Sequence, residues 1–515
     1  MGKVSSESSN VAAVTTDEHG YKVEMPRELS LWSAIGLGLA IMACPYGLST
    51  TISIALQNGG PASILWGWVF ISLMSICIAL SLAEICSRFP TLFTLTLYPG
   101  GPYYFSYMLA SPRYKKISSY VVGWLGMIGN WTVALSIIYG TAQLIIAIVP
   151  LWNENFEPRA YQTYLIFLGV LSLCFAANFL RQKHLDALNT FSIYWTGASV
   201  IVILVTVLSM ARNGRTSAAF VFASFEENSG WRPGWAWFVG LLQSAYVLTG
   251  YGMVAAMADE VSHPELSVPR GMVGSVIAAA VIGLLYLIPL LFVMTDIPSL
   301  LAADQPIPVL FQQAAGTSGA TGLMFLIITI GVLGGVGSLT TSSRCCYSFA
   351  RDNGVIGSKF WKEIWHSYLP LNALILTVVV IALLGLISFE SAAFSAFTGV
   401  ATITLGSSYA GPIMISLLRR RKPLEGAVFM MPSWLGFIVN TVSCCWILLS
   451  IVIFSMPTAL DGLNADSMNY ASVVFIGFAV IAFLYYVIHA KNTFNGPPAS
   501  NYEENAQEID MDHKL

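Results

Sequence analysis

The amino-acid sequence predicts an all-α polytopic membrane protein with about twelve transmembrane helices. Composition is the first observation behind this fold class: 56% of the 515 residues are hydrophobic, and only 10% are Asp, Glu, Lys or Arg. A typical soluble domain carries about 25% charged residues, so a soluble fold of this length could not cover its surface, whereas lipid solvates an apolar exterior. The net charge of −3 indicates neither nucleic acid nor an anionic surface as the main partner.

The second observation is a series of apolar stretches long enough to cross a bilayer, which takes about 20 residues per helix. An even number of spans places both chain termini on the same side of the membrane. The polar tails, residues 1–28 and 492–515, are predicted to be disordered, and residues 29–491 form one membrane domain. We place the twelve spans at 31–56, 62–86, 118–149, 160–180, 188–211, 235–258, 270–294, 319–349, 369–388, 392–418, 432–457 and 469–490.

The third observation is the distribution of basic residues, which sets the orientation of the spans. With the N-terminus in the cytoplasm, the inside segments hold 20 of the 24 basic residues. This asymmetry predicts that both termini are cytoplasmic, and it supports the number of spans because one missed helix would scramble the alternation. The four outside basic residues are Arg159, Arg212, Arg215 and Arg232.

Loop lengths and motifs exclude several function classes. The longest loops, around 87–117, 212–234 and 350–368, are too short for a soluble catalytic domain, and the sequence contains no HExxH or GxSxG pattern. The eight cysteines lie in apolar runs without metal-ligand spacing, so we interpret them as small hydrophobic residues. We expect neither enzymatic activity nor a metal or other cofactor.

Two spans contain residues that break a helix near its middle. Span one carries Pro45 within the segment 43–47, where proline removes a backbone hydrogen bond. Span six carries two glycines within 249–252, and these lower the cost of unwinding. Spans one and six occupy corresponding positions in two five-helix halves, and such paired breaks indicate a binding site near the middle of the membrane. The alternative is that each break is a simple kink or close-packing point.

The chemistry of the two breaks indicates what such a site binds. Exposed N–H groups at the start of a half-helix attract a carboxylate, and exposed carbonyls at the end of one attract an ammonium. The ring faces of Tyr46, Tyr251 and Trp131 could hold an alkylammonium head by cation–π attraction, although each ring could instead be a packing residue. The candidate substrate-binding residues are Ala43, Cys44, Tyr46, Gly47, Trp131, Thr249, Gly250, Tyr251 and Gly252.

The apolar centres of the spans hold almost no charge. Glu84, Asp259 and Glu260 lie near cytoplasmic helix ends, and Glu390 lies near an outer end. Because a permanent counter-charge is missing from the middle of the membrane, the site favours a zwitterion or a soft quaternary ammonium over a dication or a dicarboxylate.

Charged residues at the inner ends of the spans predict a cytoplasmic gate. Glu84 ends span two and Glu260 ends span six, and the arginines nearby are Arg88, Arg270 and Arg344. An ion pair that forms in one state and breaks in another would act as a gate. For Glu84 we favour the alternative, a static anchoring pair, whereas for Glu260 we favour a gating or proton-carrying role.

Several short motifs, taken in order, resemble those of a known family. They are LWSAIG at 31–36, QNGGP at 57–61, SLAEICSRFPT at 81–91, GGPYY at 100–104, LTGYG at 248–252 and DEVSHP at 259–264. Through these motifs the chain resembles the amino-acid–polyamine–organocation permeases, and most of all their fungal amino-acid/choline group. The resemblance extends from about residue 28 to residue 490.

The resemblance implies a secondary transporter with a five-plus-five inverted-repeat core in spans one to ten and two accessory spans. It implies alternating access, often proton-coupled, and a small-molecule substrate such as choline, γ-aminobutyrate or a related amine or amino acid, without fixing which one. A transporter-like nutrient sensor, or a facilitator or exchanger without ion coupling, is the alternative hypothesis. We expect a multi-pass protein of the plasma membrane rather than of the vacuole, and the sequence leaves the oligomeric state open.

Two features depart from the family pattern. Some members place a Lys in span five as a substitute for a cation, whereas this chain reads YWTGA at 194–198. Any ion site between spans one and eight would therefore use hydroxyls such as those of Ser338, Thr340 and Thr341. Residues 92–99 form an uncharged insert after span two, which is either a genuine loop or a retained short intron in the gene model.

The predicted orientation has a direct test. An epitope tag fused after Leu515 should be inaccessible to antibody in intact cells and become accessible when the membrane is permeabilised, because both termini face the cytoplasm. Labelling of intact cells at the C-terminal tag would contradict the orientation.

Overall fold

The computed structural model describes residues 31–89, 101–153, 155–180, 182–253, 264–365, 369–389, 393–460, 468–494, 496 and 497. These residues form α-helices and contain no β-strand beyond two isolated bridges. The predicted all-α fold class is confirmed. Both tails, the insert at 92–99, and the candidates Asp259 and Glu260 lie outside the described residues.

Each predicted span coincides with a helix or a pair of helices. Ten apolar helices in the described part are long enough to cross a membrane, and spans six and nine are shorter. Span one is divided at its predicted break into Leu31–Met42 and Cys44–Gln57. The helical part of span six that the structure describes comprises Pro233–Gly240 and Leu242–Val247, and the predicted break lies beyond Val247. The other spans, in chain order, are Gly60–Arg88, Lys115–Ile146, Ala160–Ala177, Gln182–Met210, Pro264–Val293, Pro306–Arg351, Leu371–Gly385, Ala393–Leu418, Ser433–Ile453 and Ala471–Tyr485.

Short helices lie between the spans and after the last one. The terms "inner" and "outer" follow the predicted orientation. The helix of span eight begins at Pro306 rather than near 319, because a preceding outer segment joins it through Gly316. The φ of 76° at Gly316 is a conformation that glycine adopts without steric strain. The short helices are Pro102–Leu109, Val149–Trp152, Ala218–Ala223, Ile297–Ala302, Ser358–Trp361 and Lys491–Thr493.

Span three lies at the centre of the bundle, where it packs against spans eight and ten, while span seven packs against spans one and two. Polar side chains link neighbouring spans: Trp68 Nε1 donates to the Ala280 carbonyl at 2.9 Å. Span twelve lies at the edge, with Phe483 65% and Ile488 77% exposed. Such an apolar face is suited to contact with lipid, as expected for an accessory span.

The outer ends of spans one and two are covered by an outer cap, which we define as residues 218–231. Within it, Asn228 N donates to the Gln57 carbonyl at 2.9 Å. The cap also contacts the loop that follows span eleven, since Trp231 Nε1 donates to the Pro457 carbonyl at 3.1 Å. The outer cap therefore covers the outer end of span one and connects it to the loop after span eleven.

Candidate functional site

The break in span one is a single residue, Ala43, in the left-handed conformation with φ 42° and ψ 47°. This conformation is strained for alanine, and its position matches the predicted break. The backbone compensates locally, because Ala43 N donates to the Leu39 carbonyl and the Ala43 carbonyl accepts from Gly47 N, both at 3.0 Å. Pro45 then lies in the first turn of the second half-helix, where its missing N–H is not needed.

The break in span six begins where the helix ends at Val247. Residues 250–253 form one tight turn, and the Thr249 hydroxyl donates back to the Ala245 carbonyl. The carbonyl of Thr249 accepts a hydrogen bond at 3.0 Å from the hydroxyl of Tyr409 in span ten. A side chain from another span therefore pairs with a carbonyl in this break.

The two breaks lie against each other. A Cβ atom at Gly47 would lie 2.8 Å from Val247 Cγ2, and one at Gly250 would lie 2.9 Å from Ile41 Cγ2. At both glycines, a larger residue would have to displace a side chain of the other span, Val247 or Ile41. The structure brings the predicted segments 43–47 and 249–252 together in the interior of the bundle.

Tyr46 lies in the first break but its ring packs away from the second. Its hydroxyl donates to the Ile137 carbonyl at 2.6 Å and accepts from the Thr141 hydroxyl at 3.2 Å. Glycines of spans three and eight flank the side chain, since a Cβ at Gly331 would lie 2.6 Å from the ring. Tyr46 is 2% exposed, so in this conformation it is a packing residue between those spans.

The other two predicted aromatics differ in position. Tyr251 lies in the second break, with its ring centroid 5.4 Å from that of Tyr409. Trp131 faces spans nine and twelve instead, because its Nε1 donates to the Thr377 hydroxyl at 3.2 Å and its ring lies 6.3 Å from Phe478. The structure does not bring Trp131 to the breaks, in contrast to its prediction as a candidate substrate-binding residue.

A cavity of about 50 Å³, here called the inner cavity, lies on the inner side of the span-six break. It is lined by residues of spans three, six, eight and ten and of the helix Pro102–Leu109. One acceptor in it is unused: Asn130 Oδ1 is buried and has no hydrogen-bond partner among the described residues. The polar and aromatic lining residues are Tyr103, Asn130, Thr341, Arg344, Ser348, Ser408 and Tyr409.

A second cavity, of about 30 Å³, lies between spans one, five and eight, where the sequence allowed an ion site. Thr341 lines both cavities, and its hydroxyl donates to the Gly337 carbonyl at 3.0 Å. Thr340 donates to Asn178 Oδ1 at 2.7 Å. Ser338 is buried and donates to the Gly335 carbonyl at 3.1 Å, and it is not among the lining residues. Of the predicted hydroxyls, Thr340 and Thr341 therefore reach this cavity.

Comparison with known proteins places this chain in a family. The family model described as "Amino acid permease" matches residues 29–480. The chain is 32% identical to the polyamine transporter TPO5 of Saccharomyces cerevisiae, over 92% of this chain and 77% of that protein. It is 30% identical to the amino-acid permease BAT1 of Arabidopsis thaliana, over 94% and 96% of the two chains. A choline transporter of Saccharomyces cerevisiae is 31% identical, over 94% and 85%.

The chain belongs to the amino acid permease family. The resemblance read from the motifs is thereby confirmed, and this permease is a multi-pass transporter and not an enzyme.

Glu84 of the permease has a different partner from those nearest in the sequence. Its Oε1 lies 2.6 Å from Arg421 Nη2, and Glu84 and Arg421 are 0% and 5% exposed. Met431 N donates to the same oxygen at 2.5 Å. Neither Arg88 nor Arg270 forms an ion pair with Glu84 in this conformation. Arg421, at the inner end of span ten, therefore ties span two to the loop between spans ten and eleven, which favours the static anchoring alternative.

The remaining gating candidates are not assembled in the described part of the chain. Arg270 is exposed near the inner end of span seven, and no ion pair involving it occurs among the described residues. Glu260 lies outside those residues, so its gating or proton-carrying role stays a prediction.

A polar cluster at the inner mouth was not predicted. Tyr103 donates to Asp352 Oδ2 at 2.9 Å, and Arg351 Nε lies 3.1 Å from Asp352 Oδ1. Burial raises the pKa of the Asp352 carboxyl above its ordinary value, and the Arg351 guanidinium opposes that shift. The carboxyl therefore takes up a proton at a higher pH than a free aspartate does. The cluster joins the helix Pro102–Leu109 to the end of span eight.

Three further residues of the site escaped the sequence reasoning. Tyr409 contacts the second break, Asn130 lines the inner cavity, and Tyr246 shares a hydrogen bond of 2.8 Å with Ser136 just outside the breaks. Asn130 and Trp131 are adjacent in sequence, but a helix turns by about 100° per residue, so their side chains point in different directions. A polar residue in the middle of a span was the only local signal for Asn130.

The anchoring role of Glu84 predicts a loss of stability. In Glu84→Gln the buried Arg421 loses its counter-charge, and removal of one partner of a buried ion pair costs about 3–5 kcal/mol. We expect a clearly lower midpoint of thermal unfolding in detergent, with partial recovery in Glu84→Gln/Arg421→Met. Glu425→Gln, an exposed glutamate near the same loop, is the matched control. Normal stability of Glu84→Gln combined with altered pH dependence of uptake would instead support a gate.

Proposed function

We propose that this permease is a secondary active transporter that takes up a small amine or amino acid by alternating access, with the two breaks as the substrate site. The observation that carries the proposal is the direct apposition of the breaks, with Gly47 against Val247 and Gly250 against Ile41. Discontinuous helices at this position end in backbone N–H and C=O groups, and those other than the paired groups of Ala43 and Thr249 can bind a zwitterion. The outer cap and the cavity on the inner side support the proposal that this conformation faces the cytoplasm.

The charge of the site favours a zwitterion or a quaternary ammonium over a polyamine. The segments 43–47 and 249–252 contain no acidic or basic residue. An uncompensated dication would lose its hydration without a counter-charge, which is expensive in a low-dielectric interior. Choline and γ-aminobutyrate each fit this requirement, since one is a soft monocation and the other carries both charges.

Proton coupling is part of the proposal. The second cavity has no lysine or carboxylate among its described lining residues, which include Arg344, the hydroxyls of Thr340 and Thr341 and the amide of Asn189. A titratable carboxyl must then carry the proton, and Glu260 at the inner end of span six is the candidate. We place the protein in the plasma membrane, with both tails in the cytoplasm.

A panel of radiolabelled substrates tests the function. The permease is expressed in a transport-deficient host, and uptake of choline, γ-aminobutyrate, neutral amino acids and a polyamine is measured at several pH values. We expect accumulation of a zwitterion or of choline above equilibrium, increasing as the external pH falls. Simple equilibration would indicate a facilitator, and surface-expressed protein that takes up none of the panel would contradict the transport function.

Gly250→Leu should abolish uptake while leaving the amount of protein in the membrane near normal. The new side chain would enter the space between the breaks, because even a Cβ there lies 2.9 Å from Ile41 Cγ2. The matched control is Gly197→Leu in span five, where an added Cβ meets no atom within 4 Å. Normal uptake by Gly250→Leu would show that the span-six break is structural only.

Glu260→Gln should reduce pH-dependent accumulation more than exchange of internal for external substrate. Exchange needs the loaded carrier to reorient, whereas accumulation also needs a proton to be carried. Both rates are measured in reconstituted vesicles with and without a pH gradient. An equal loss of accumulation and exchange would point to a structural role for this carboxylate.

A further inference from the structure

The two breaks are stabilised in different ways. In span one, the N–H and the carbonyl of Ala43 are both paired with backbone atoms of the same span. In span six, the carbonyl of Thr249 is paired with the Tyr409 side chain of span ten. The shape of the second break therefore depends on the position of a different helix.

Tyr409 makes three separate contacts with the second break. Its hydroxyl binds the Thr249 carbonyl, its ring lies 5.4 Å from the Tyr251 ring, and a Cβ atom on Gly252 would collide with the ring. Tyr409 itself is 2% exposed and lines the inner cavity. One side chain thus contacts the carbonyl at the start of the unwound turn and the glycine near its end.

The Tyr409 hydroxyl is important because the Thr249 carbonyl that it binds lies inside a membrane span. A backbone carbonyl that is freed from a helix inside the membrane needs a partner, and leaving it unpaired is costly. Phenylalanine at 409 would keep the ring contacts with Tyr251 and Gly252 but remove the donor. The carbonyl would then turn toward another donor, and the turn at 250–253 would shift with it.

We propose that Tyr409 is a positioning residue of the substrate site, which holds the unwound turn of span six in its binding shape from span ten. The inference rests on the proposed function, because it assigns the turn to substrate binding. This role also lets span ten control the shape of the site, because a movement of span ten relative to span six reshapes the turn without any change in the residues that contact substrate.

Tyr409→Phe tests this role against a matched control. Tyr120→Phe also removes a buried hydroxyl that donates to a backbone carbonyl, that of Ala482 at 2.9 Å, but this carbonyl belongs to accessory span twelve. For the substrate that the wild-type protein takes up, we expect Tyr409→Phe to raise KM about tenfold, with Vmax per surface molecule within about twofold. Tyr120→Phe should leave KM unchanged.

Amide hydrogen exchange gives a second readout that does not need a substrate. In lipid nanodiscs, peptides covering residues 248–253 should exchange faster in Tyr409→Phe than in the wild type or in Tyr120→Phe. Unchanged KM and unchanged exchange would overturn the positioning role, as would an equal rise of KM in the control. If the wild type takes up none of the substrates in the panel, the proposed function fails. In that case, unchanged amide hydrogen exchange in Tyr409→Phe would also overturn the control of the span-six break by Tyr409.

Discussion

The pairing of backbone carbonyls inside the membrane is the constraint on which the rest of this permease depends. Lipid offers no hydrogen-bond donor, so each interruption of a helix must be matched by a donor from the protein or from a water-filled cavity. The hydrogen-bond partners at the two interruptions lie at very different separations along the chain. Ala43 relies on backbone atoms four residues away on either side, whereas Thr249 relies on Tyr409, which is 160 residues away.

The surrounding spans are arranged to bring such donors into place. Span three packs against spans eight and ten, and Tyr46 in the second half-helix of span one donates a hydrogen bond to its Ile137 carbonyl. Span ten places Tyr409 against the break in span six, and Arg421, just after the inner end of span ten, pairs with Glu84 of span two. A helix that supports the site at its middle is therefore itself anchored by a buried ion pair at its inner end.

The sequence was sufficient for the parts of the fold that depend on local pattern. Apolar length located the spans, and Pro45 and the glycines of span six located both breaks, because these residues act on their own backbone. The directions of individual side chains could not be predicted from the sequence in the same way. Tyr46 and Trp131 lie in the predicted spans, but both point to other helices, since a rotation of one residue changes the neighbour that a side chain meets. The partner of Glu84 is 337 residues away and no local signal marks it.

The contacts of the outer cap extend the role of the accessory spans. Ser229 of the cap accepts a backbone hydrogen bond of 2.6 Å from Leu460, and the neighbouring Trp231 donates to Pro457. The loop after span eleven thus holds the cap in place on the outer side. In the proposed alternating-access cycle, opening of the outer side would break these bonds, so the barrier to opening would lie partly in loops remote from the proposed substrate site. Substrate recognition and the rate of opening to the outside can then vary independently, since different residues govern the two properties.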